Sequence, residues 1–179
     1  YLWVCVEIYQ QIRHRKSQRV APSSGDQGSL ILLNVCITLG YCIAIPISFT
    51  PYGRLTWGQP LWPVAGLAFV VGGLWIRFSA MNTLAKLFTY AVEIQPQHRL
   101  VETGVYRHVR HPGYLGQLFV FLGIGLALAT WISLLALLVP IGTAFAHRIN
   151  VEEQVLREHF AEAYDAYRRR SWRLIPGLY

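Results

Sequence analysis

Long uncharged runs separated by short polar segments define the hydrophobic pattern of this chain. Residues 29–47 and 61–76 contain no charged side chain, and residues 112–146 are uncharged over 35 positions. A helix needs about 20 predominantly apolar residues to cross the roughly 30 Å hydrocarbon core of a bilayer. The first two runs therefore predict one membrane-spanning helix each.

The third run, residues 112–146, is too long for a single span. A straight helix of this length would extend about 52 Å, well beyond the hydrocarbon core. The run therefore predicts a helical hairpin, with its turn near residues 129–133 and a kink at Pro140 in the return helix. Residues 2–12 form a shorter apolar run, which we interpret as the end of another span. Together these runs predict an all-α integral membrane protein with about five transmembrane helices.

The segment that follows the hairpin has a different pattern. Its apolar residues recur at helical spacing and are Val151, Val155, Leu156, Phe160, Ala163, Tyr164 and Tyr167. This spacing predicts a cytoplasmic amphipathic helix over residues 151–170 that lies on or beside the membrane.

Composition and charge agree with a membrane location. The chain is 54% hydrophobic and only 14% charged, with a formal net charge of +7. The basic residues cluster beside the apolar runs and no nucleic-acid motif occurs, so we expect contact with lipid phosphates rather than nucleic acid. If the basic loop at residues 13–28 is cytoplasmic, 15 of the 16 Lys and Arg lie on that side and only Arg54 lies opposite. This asymmetry predicts a multi-pass protein with its polar motifs at the cytoplasmic face.

Metal and hydrolase chemistry find little support in the sequence. Cys5, Cys36 and Cys42 match no zinc or redox spacing, and neither do His108 and His147, so we expect no metal site. No motif of phosphoryl transfer, zinc hydrolysis or serine hydrolysis occurs.

The most concentrated polar chemistry lies in residues 106–114, which contain two Tyr, two His and two Arg. Within it, His111-Pro112 predicts a helix start, because proline suits the first helical position and pushes the preceding residue toward an extended backbone. The unpaired N–H groups of that first turn could bind an anionic group. An equally good interpretation is a helix start with interfacial aromatic side chains.

Arg148, Glu152 and Arg77 each allow a structural and a functional interpretation. Arg148 and Glu152 share a helix face. They form either a structural ion pair or a ligand site, in which the carboxylate accepts hydrogen bonds from an amine or ribose hydroxyls. Glu153 points about 100° away and could pair with Arg157, which favours a structural role for Glu153. Arg77 ends an apolar run, where it either reaches lipid phosphate or binds a substrate carboxylate.

These motifs, taken together, carry a family resemblance. The order Gly104-Val-Tyr106-Arg-His-Val-Arg110-His111-Pro112-Gly-Tyr114, then Arg148-x-x-x-Glu152-Glu153, Tyr164-x-x-Tyr167 and Arg173-Leu-Ile-Pro176 resembles the isoprenylcysteine carboxyl methyltransferase family. The resemblance runs from about residue 77 to 176, and the first two spans match only in hydropathy. It implies one domain over residues 1–179, with N-terminal spans in 1–76 and a cofactor-binding and catalytic region in 77–176.

The resemblance also implies roles for particular residues. Members of the family use S-adenosylmethionine, and their cofactor site corresponds here to Glu93, His98, Arg99, Leu100, Val101, Tyr106, His111, Pro112, Gly113, Tyr114, Arg148 and Glu152. Their substrate-orienting arginine corresponds to Arg77. The chain departs from the family pattern at two places. The linker before His98, which contains Glu93, is shorter than in the eukaryotic enzymes, and Asn150-Val151 replaces two acidic residues, which favours Glu152 over Glu153 as the cofactor ligand.

The activity so implied is methyl transfer to the carboxylate of a prenylated cysteine or a similar lipophilic acceptor, which needs no general base. Related membrane methyltransferases act on phospholipid amines or small thiols; an amine would need a base, for which Glu153 or His147 is the candidate catalytic residue. Two remoter alternatives are a reductase-like protein with a nicotinamide cofactor and a non-catalytic membrane scaffold. The expected partners are the bilayer and the lipophilic acceptor.

Overall fold

Four apolar helices form the body of the protein in the computed structural model, which describes residues 28–59, 61–84 and 100–178. They are α1 (Ser29–Ser48), α2 (Leu61–Leu84), α3 (Pro112–Ala127) and α4 (Trp131–Arg170), and a 3-10 helix, η1 (Gly104–Arg107), lies between α2 and α3. Every regular element within these ranges is helical, which confirms the all-α prediction.

Three of the helices, α1, α2 and α4, are long and apolar enough to cross a membrane, and α3 is a shorter apolar helix. The run at residues 2–12 lies outside the described residues, so the count of five spans stays a prediction. Residues 131–160 of α4, which precede the non-helical backbone of Ala161, extend about 45 Å, so the C-terminal part of α4 must lie beyond a roughly 30 Å hydrocarbon core.

The predicted hairpin is formed by α3 and α4. Its turn consists of residues 128–130, slightly earlier than expected, because Thr130 already caps α4. The Thr130 hydroxyl accepts a hydrogen bond from the Ser133 backbone N–H at 3.0 Å. Ala129 turns the chain with a φ of 52°.

Glycines bring α2 and α3 into backbone contact. Gly66 lies against Gly123, and Gly73 lies against Gly116, so the two helices run antiparallel. A Cβ atom added to Gly66 or to Gly73 would lie 2.5 Å from the facing carbonyl oxygen. This spacing is typical of membrane helix pairs that pack through small residues.

On the other side of the hairpin, α1 packs along α4. The Ser133 hydroxyl donates to the Ala44 carbonyl at 2.7 Å. The buried core at this contact consists of Leu33, Ala44, Phe121, Leu137, Ile141, Ala144 and Phe145. The helices thus lie in the order α2, α3, α4, α1.

The predicted amphipathic segment, residues 151–170, follows the apolar part of α4 without a loop, and the helix breaks within this segment. Its position at the cytoplasmic membrane surface stays a prediction. The one residue of α4 with a non-helical backbone is Ala161, at φ 43° and ψ −118°, and Pro140 lies within the helix. After α4, the C-terminal tail (residues 171–178) turns back toward the start of α3, where an isolated bridge pairs Trp172 with Val109.

Candidate functional site

The polar motif forms a loop (the motif loop, residues 104–111) that begins with η1 and leads into α3. The C-terminal tail holds this loop through two backbone hydrogen bonds of 2.8 Å, from Trp172 N–H to the His108 carbonyl and from Arg110 N–H to the Trp172 carbonyl. The Tyr167 hydroxyl donates to the Tyr106 carbonyl at 2.6 Å. The motif loop is therefore fixed by residues some 60 positions further along the chain.

The imidazole of His111 lies between the two consecutive glutamates of α4. Its Nε2 is 3.3 Å from Glu153 Oε1, and its Nδ1 is 3.8 Å from Glu152 Oε2. The side chain is buried, and Pro112 begins α3 immediately after it, as predicted. The motif loop and the glutamate pair predicted from separate segments thus come together at one end of the helical bundle.

A phenol connects the predicted Arg148 and Glu152 pair. The Tyr114 hydroxyl donates to Glu152 Oε2 at 2.8 Å and accepts from Arg148 Nε at 3.0 Å. Arg148 Nη1 also donates to the Ser29 hydroxyl of α1 at 2.8 Å. Arg148 is buried, whereas the Glu152 side chain is 32% exposed. Glu152 is therefore the glutamate that a ligand can reach.

Glu153 belongs to a buried ionic cluster instead. Its Oε1 is 3.1 Å from Arg110 Nε, and its Oε2 is 3.2 Å from Arg173 Nη2. The prediction that Glu153 pairs with Arg157 was wrong, because Arg157 faces Asp165 at 3.7 Å.

Glu153 lies beyond the uncharged run that ends at residue 146. Burial alone would raise its pKa, but the His111 hydrogen bond and the charges of His111, Arg173 and Arg110 lower the pKa of Glu153 to about 2.

Arg77 approaches this site from α2. It is 7% exposed, and its Nη1 donates to Gln117 Oε1 of α3 at 3.2 Å. Tyr106 lies within electrostatic range of both Arg77 and Glu152: burial raises the pKa of Tyr106, the Glu152 charge raises it further, and the Arg77 charge opposes the rise. Gly104, at the start of η1, also lies against Thr83 near the end of α2.

The remaining predicted residues have mixed outcomes. Leu100 and Val101 are half-buried in the irregular chain before η1, and Pro112 is buried in the first turn of α3. Gly113 is half-buried, with nothing within 4 Å of the position that a Cβ atom would take. Glu93, His98 and Arg99 lie outside the described residues. Within the described ranges, no three His, Cys, Asp or Glu side chains are grouped so that they could hold a metal ion.

Sequence reasoning missed two polar partners, Gln117 and Ser29. Gln117 is the one amide side chain in the apolar sequence of α3, and its isolation among apolar residues could have marked it as a candidate site residue. Ser29 begins α1, where nothing in the hydropathy pattern distinguishes it.

A cleft of about 570 Å³ opens beside Glu153 at the far part of α4. It is lined by Asn150, Glu153, Gln154, Arg157, Glu158, Arg168 and Arg173. Of these residues, Glu153 and Arg173 belong to the sequence motifs but not to the predicted cofactor site, and the cleft contains both basic and acidic side chains. The predicted site is instead the cluster around His111, Tyr114 and Glu152.

A family model described as phospholipid methyltransferase matches residues 61–163, more than half of the chain. The match spans α2, η1, α3 and most of α4, and it includes Arg77, His111 and Glu152. The chain belongs to the phospholipid methyltransferase family.

Relatives of this family member include isoprenylcysteine methyltransferases. A probable protein-S-isoprenylcysteine O-methyltransferase of Oryza sativa subsp. indica is 36% identical over 115 residues, which cover 63% of this chain and 60% of the relative. The Saccharomyces cerevisiae protein-S-isoprenylcysteine O-methyltransferase is 36% identical over 117 residues, covering 64% and 49%. The human protein of that name is 32% identical over 119 residues, covering 65% and 40%. The chain thus spans about half the length of these relatives, and the resemblance seen in its motifs is confirmed.

The fold is also shared with a solved structure. A eukaryotic intramembrane Ras methyltransferase, an isoprenylcysteine carboxyl methyltransferase, superposes with a TM-score of 0.60 at 22% identity, over 89% of this chain and 55% of that one. Together with the long apolar helices, this likeness identifies an integral membrane protein.

Proposed function

We propose that the protein transfers a methyl group from S-adenosylmethionine to the carboxylate of a prenylated cysteine or a similar lipophilic acceptor. The observation that carries this proposal is that a buried cation, Arg77, and a reachable anion, Glu152, both lie within electrostatic range of Tyr106. Such a site offers one charge for an anionic acceptor and the other for a cationic donor. The names of the relatives support the same acceptor.

The residues around Glu152 fit the donor. When bound, S-adenosylmethionine supplies an electrophilic methyl group on a positively charged sulfur. Glu152 would accept hydrogen bonds from an amine or ribose hydroxyls, while Tyr114, whose hydroxyl accepts from Arg148, holds its carboxylate in place. The open space beside Gly113 lets a ligand approach the first turn of α3. Glu93, His98, Arg99, Leu100 and Val101 complete the proposed site.

Arg77 would orient the acceptor. A carboxylate is already ionised at neutral pH, so the protein needs to supply position and exclusion of water rather than a base. Arg77 lies at the contact of two apolar helices, where an acceptor carboxylate can be reached while its lipid chain stays in hydrocarbon. A guanidinium can hold one carboxylate oxygen and leave the lone pairs of the other available.

A phospholipid amine is the second candidate acceptor, favoured by the description of the family model. An amine must lose a proton, and the candidate bases are Glu153 and His147. Glu153 is a poor base at neutral pH because Arg110, Arg173 and His111 stabilise its ionised form. His147 is exposed on α4. Neither residue offers a clear general base for an amine, and a thiol would also have to lose a proton. A carboxylate acceptor needs no base, so these features favour it.

The same proposal includes the orientation of the protein. The excess of Lys and Arg beside the motif loop supports a cytoplasmic site, with several spans and one domain over residues 1–179.

The deciding experiment offers labelled S-adenosylmethionine and three acceptors in parallel to purified protein in detergent or lipid. These are a farnesylated cysteine analogue, phosphatidylethanolamine and a small thiol. Base-labile label on the cysteine analogue is the expected result. Label only on the amine or thiol would overturn the proposed acceptor, and no label without binding of S-adenosylhomocysteine would leave the scaffold or reductase-like alternatives.

A further inference from the structure

Gln117 is a buried amide in an otherwise apolar helix. Its side chain is 7% exposed, and its Oε1 accepts a hydrogen bond from Arg77 Nη1 at 3.2 Å. Burying an amide or a guanidinium without partners is strongly unfavourable in an apolar environment. The contact between two such groups therefore contributes to the placement of both.

The backbone around this contact is closely packed. Gln117 directly follows Gly116, and a Cβ atom added to Gly116 would lie 2.8 Å from the Arg77 backbone nitrogen and 3.1 Å from Arg77 Cβ. Gly73, one helical turn before Arg77, meets Gly116 in turn. Because α2 and α3 touch here through their backbones, neither Arg77 nor Gln117 can shift far relative to the other.

The chemical type of Gln117 matters as much as its position. An amide oxygen accepts an N–H of the guanidinium without adding a negative charge of its own. A glutamate of the same shape would form an ion pair with Arg77 and compete with any other carboxylate. A methionine of similar length would offer no comparable acceptor.

We infer that Gln117 is a positioning residue, which holds the Arg77 guanidinium in the orientation that binds the acceptor carboxylate. Because its amide is neutral, Gln117 also preserves the preference of the site for an anionic acceptor. This inference rests on the proposed function, because it requires a carboxylate at Arg77. It assigns to α3 a part in acceptor recognition in addition to its N-terminal turn.

The test compares Gln117→Glu and Gln117→Met with the wild-type protein. Gln154→Glu and Gln154→Met are matched controls, since Gln154 is an exposed glutamine of α4 that donates to Glu158. Three experiments are made on each variant. Kinetics with a farnesylated cysteine analogue give the acceptor KM and kcat, calorimetry gives the Kd of S-adenosylhomocysteine, and a binding assay compares the free acid of the acceptor with its methyl ester.

We expect Gln117→Glu to raise the acceptor KM about tenfold to a hundredfold, the range of a hydrogen-bonded charged contact. It should also remove the preference for acid over ester. Gln117→Met should lower kcat/KM about tenfold, through a misoriented Arg77. The Kd of S-adenosylhomocysteine should change less than about twofold in both, and the Gln154 variants should match wild type.

Two results would overturn this inference alone. One is wild-type acceptor kinetics in both Gln117 variants, and the other is a loss of S-adenosylhomocysteine affinity in these variants that equals their loss for the acceptor. The proposed function is tested separately by the wild-type protein. If the wild-type protein methylates only a lipid amine, the proposed function and this inference both fail. If it methylates the carboxylate while the Gln117 variants are unaffected, only this inference fails.

Discussion

The two halves of the candidate site are built by different physical means. The membrane half consists of Arg77 and Gln117, held where α2 and α3 touch through glycines. The ionic half consists of the motif loop, the two glutamates of α4 and the C-terminal tail, held by ion pairs and backbone hydrogen bonds. The first half depends on close packing and the second on charge, so substitutions should affect them in different ways.

The largest expected effect in the membrane half comes from Arg77→Ala. Removal of the guanidinium deprives the acceptor carboxylate of its orienting charge, and we expect turnover to fall by about a hundredfold to a thousandfold. Affinity for S-adenosylhomocysteine should stay within about twofold, because Glu152 and its partners belong to the ionic half. Radiolabel transfer and calorimetry measure the two quantities. An equal loss of both would place Arg77 in the donor site or in the folding core.

In the ionic half, Glu153→Gln should be strongly destabilising. Glu153 is buried between Arg110 and Arg173, and removing one partner of a buried ion pair leaves charge uncompensated, at a cost of about 3–5 kcal/mol. Glu152→Gln is the matched control, since that side chain is 32% exposed and should lose donor affinity with little loss of stability. Thermal unfolding in detergent measures stability. Similar stability in the two variants would contradict the distinction between the adjacent glutamates.

The charge of Glu153 also predicts a pH dependence. The pKa of its carboxyl falls from an ordinary value of 4.5 to about 2 in the folded protein. The stabilisation is therefore complete above about pH 4.5 and is lost as the pH falls toward 2, by at most about 3 kcal/mol and less where solvent screens the charges. Unfolding measured between pH 6 and pH 3 should show this loss in wild type and a weaker one in Glu153→Gln. Equal pH dependence in both proteins would exclude Glu153 as its source.

In both halves, the sequence predicted elements that are continuous along the chain but not the contacts between distant positions. Hydropathy predicted α1, α2 and the hairpin because membrane spans are continuous in sequence, and local spacing brought Arg148 and Glu152 to one helix face. Contacts across the fold could not be read in this way. Arg77 meets Gln117 across 40 positions, and Arg110 meets Glu153 across 43, so neither partner is visible in local spacing. The Arg157 prediction failed for this reason, since a partner close in sequence was preferred to a distant one.

Close packing in the membrane half can be tested with adjacent glycines. Gly73 faces the Gly116 carbonyl, whereas nothing lies within 4 Å of a Cβ atom added to Gly72. We expect Gly73→Ala to destabilise the protein by about 1–3 kcal/mol through overpacking. Gly72→Ala should be neutral or stabilising by up to about 1 kcal/mol through helix propensity. Thermal unfolding of the two variants measures the difference, and equal effects would mean that the crossing tolerates a wider separation.

The smallest expected effect lies in the ionic half, at the break in α4. Ala161 has a φ of 43° with a ψ of −118°, a backbone conformation that glycine adopts more readily than alanine. Ala161→Gly should therefore stabilise the protein by about 1 kcal/mol, because relief of strain exceeds the added entropy of the unfolded chain. Ala163→Gly, two residues further along in helical backbone, should instead destabilise it by about 0.5–1 kcal/mol. Opposite shifts in unfolding temperature are the expected result. If both variants were destabilised, Ala161 would not be strained, and the direction of the tail would be set by its ion pairs and its bridge to Val109 alone.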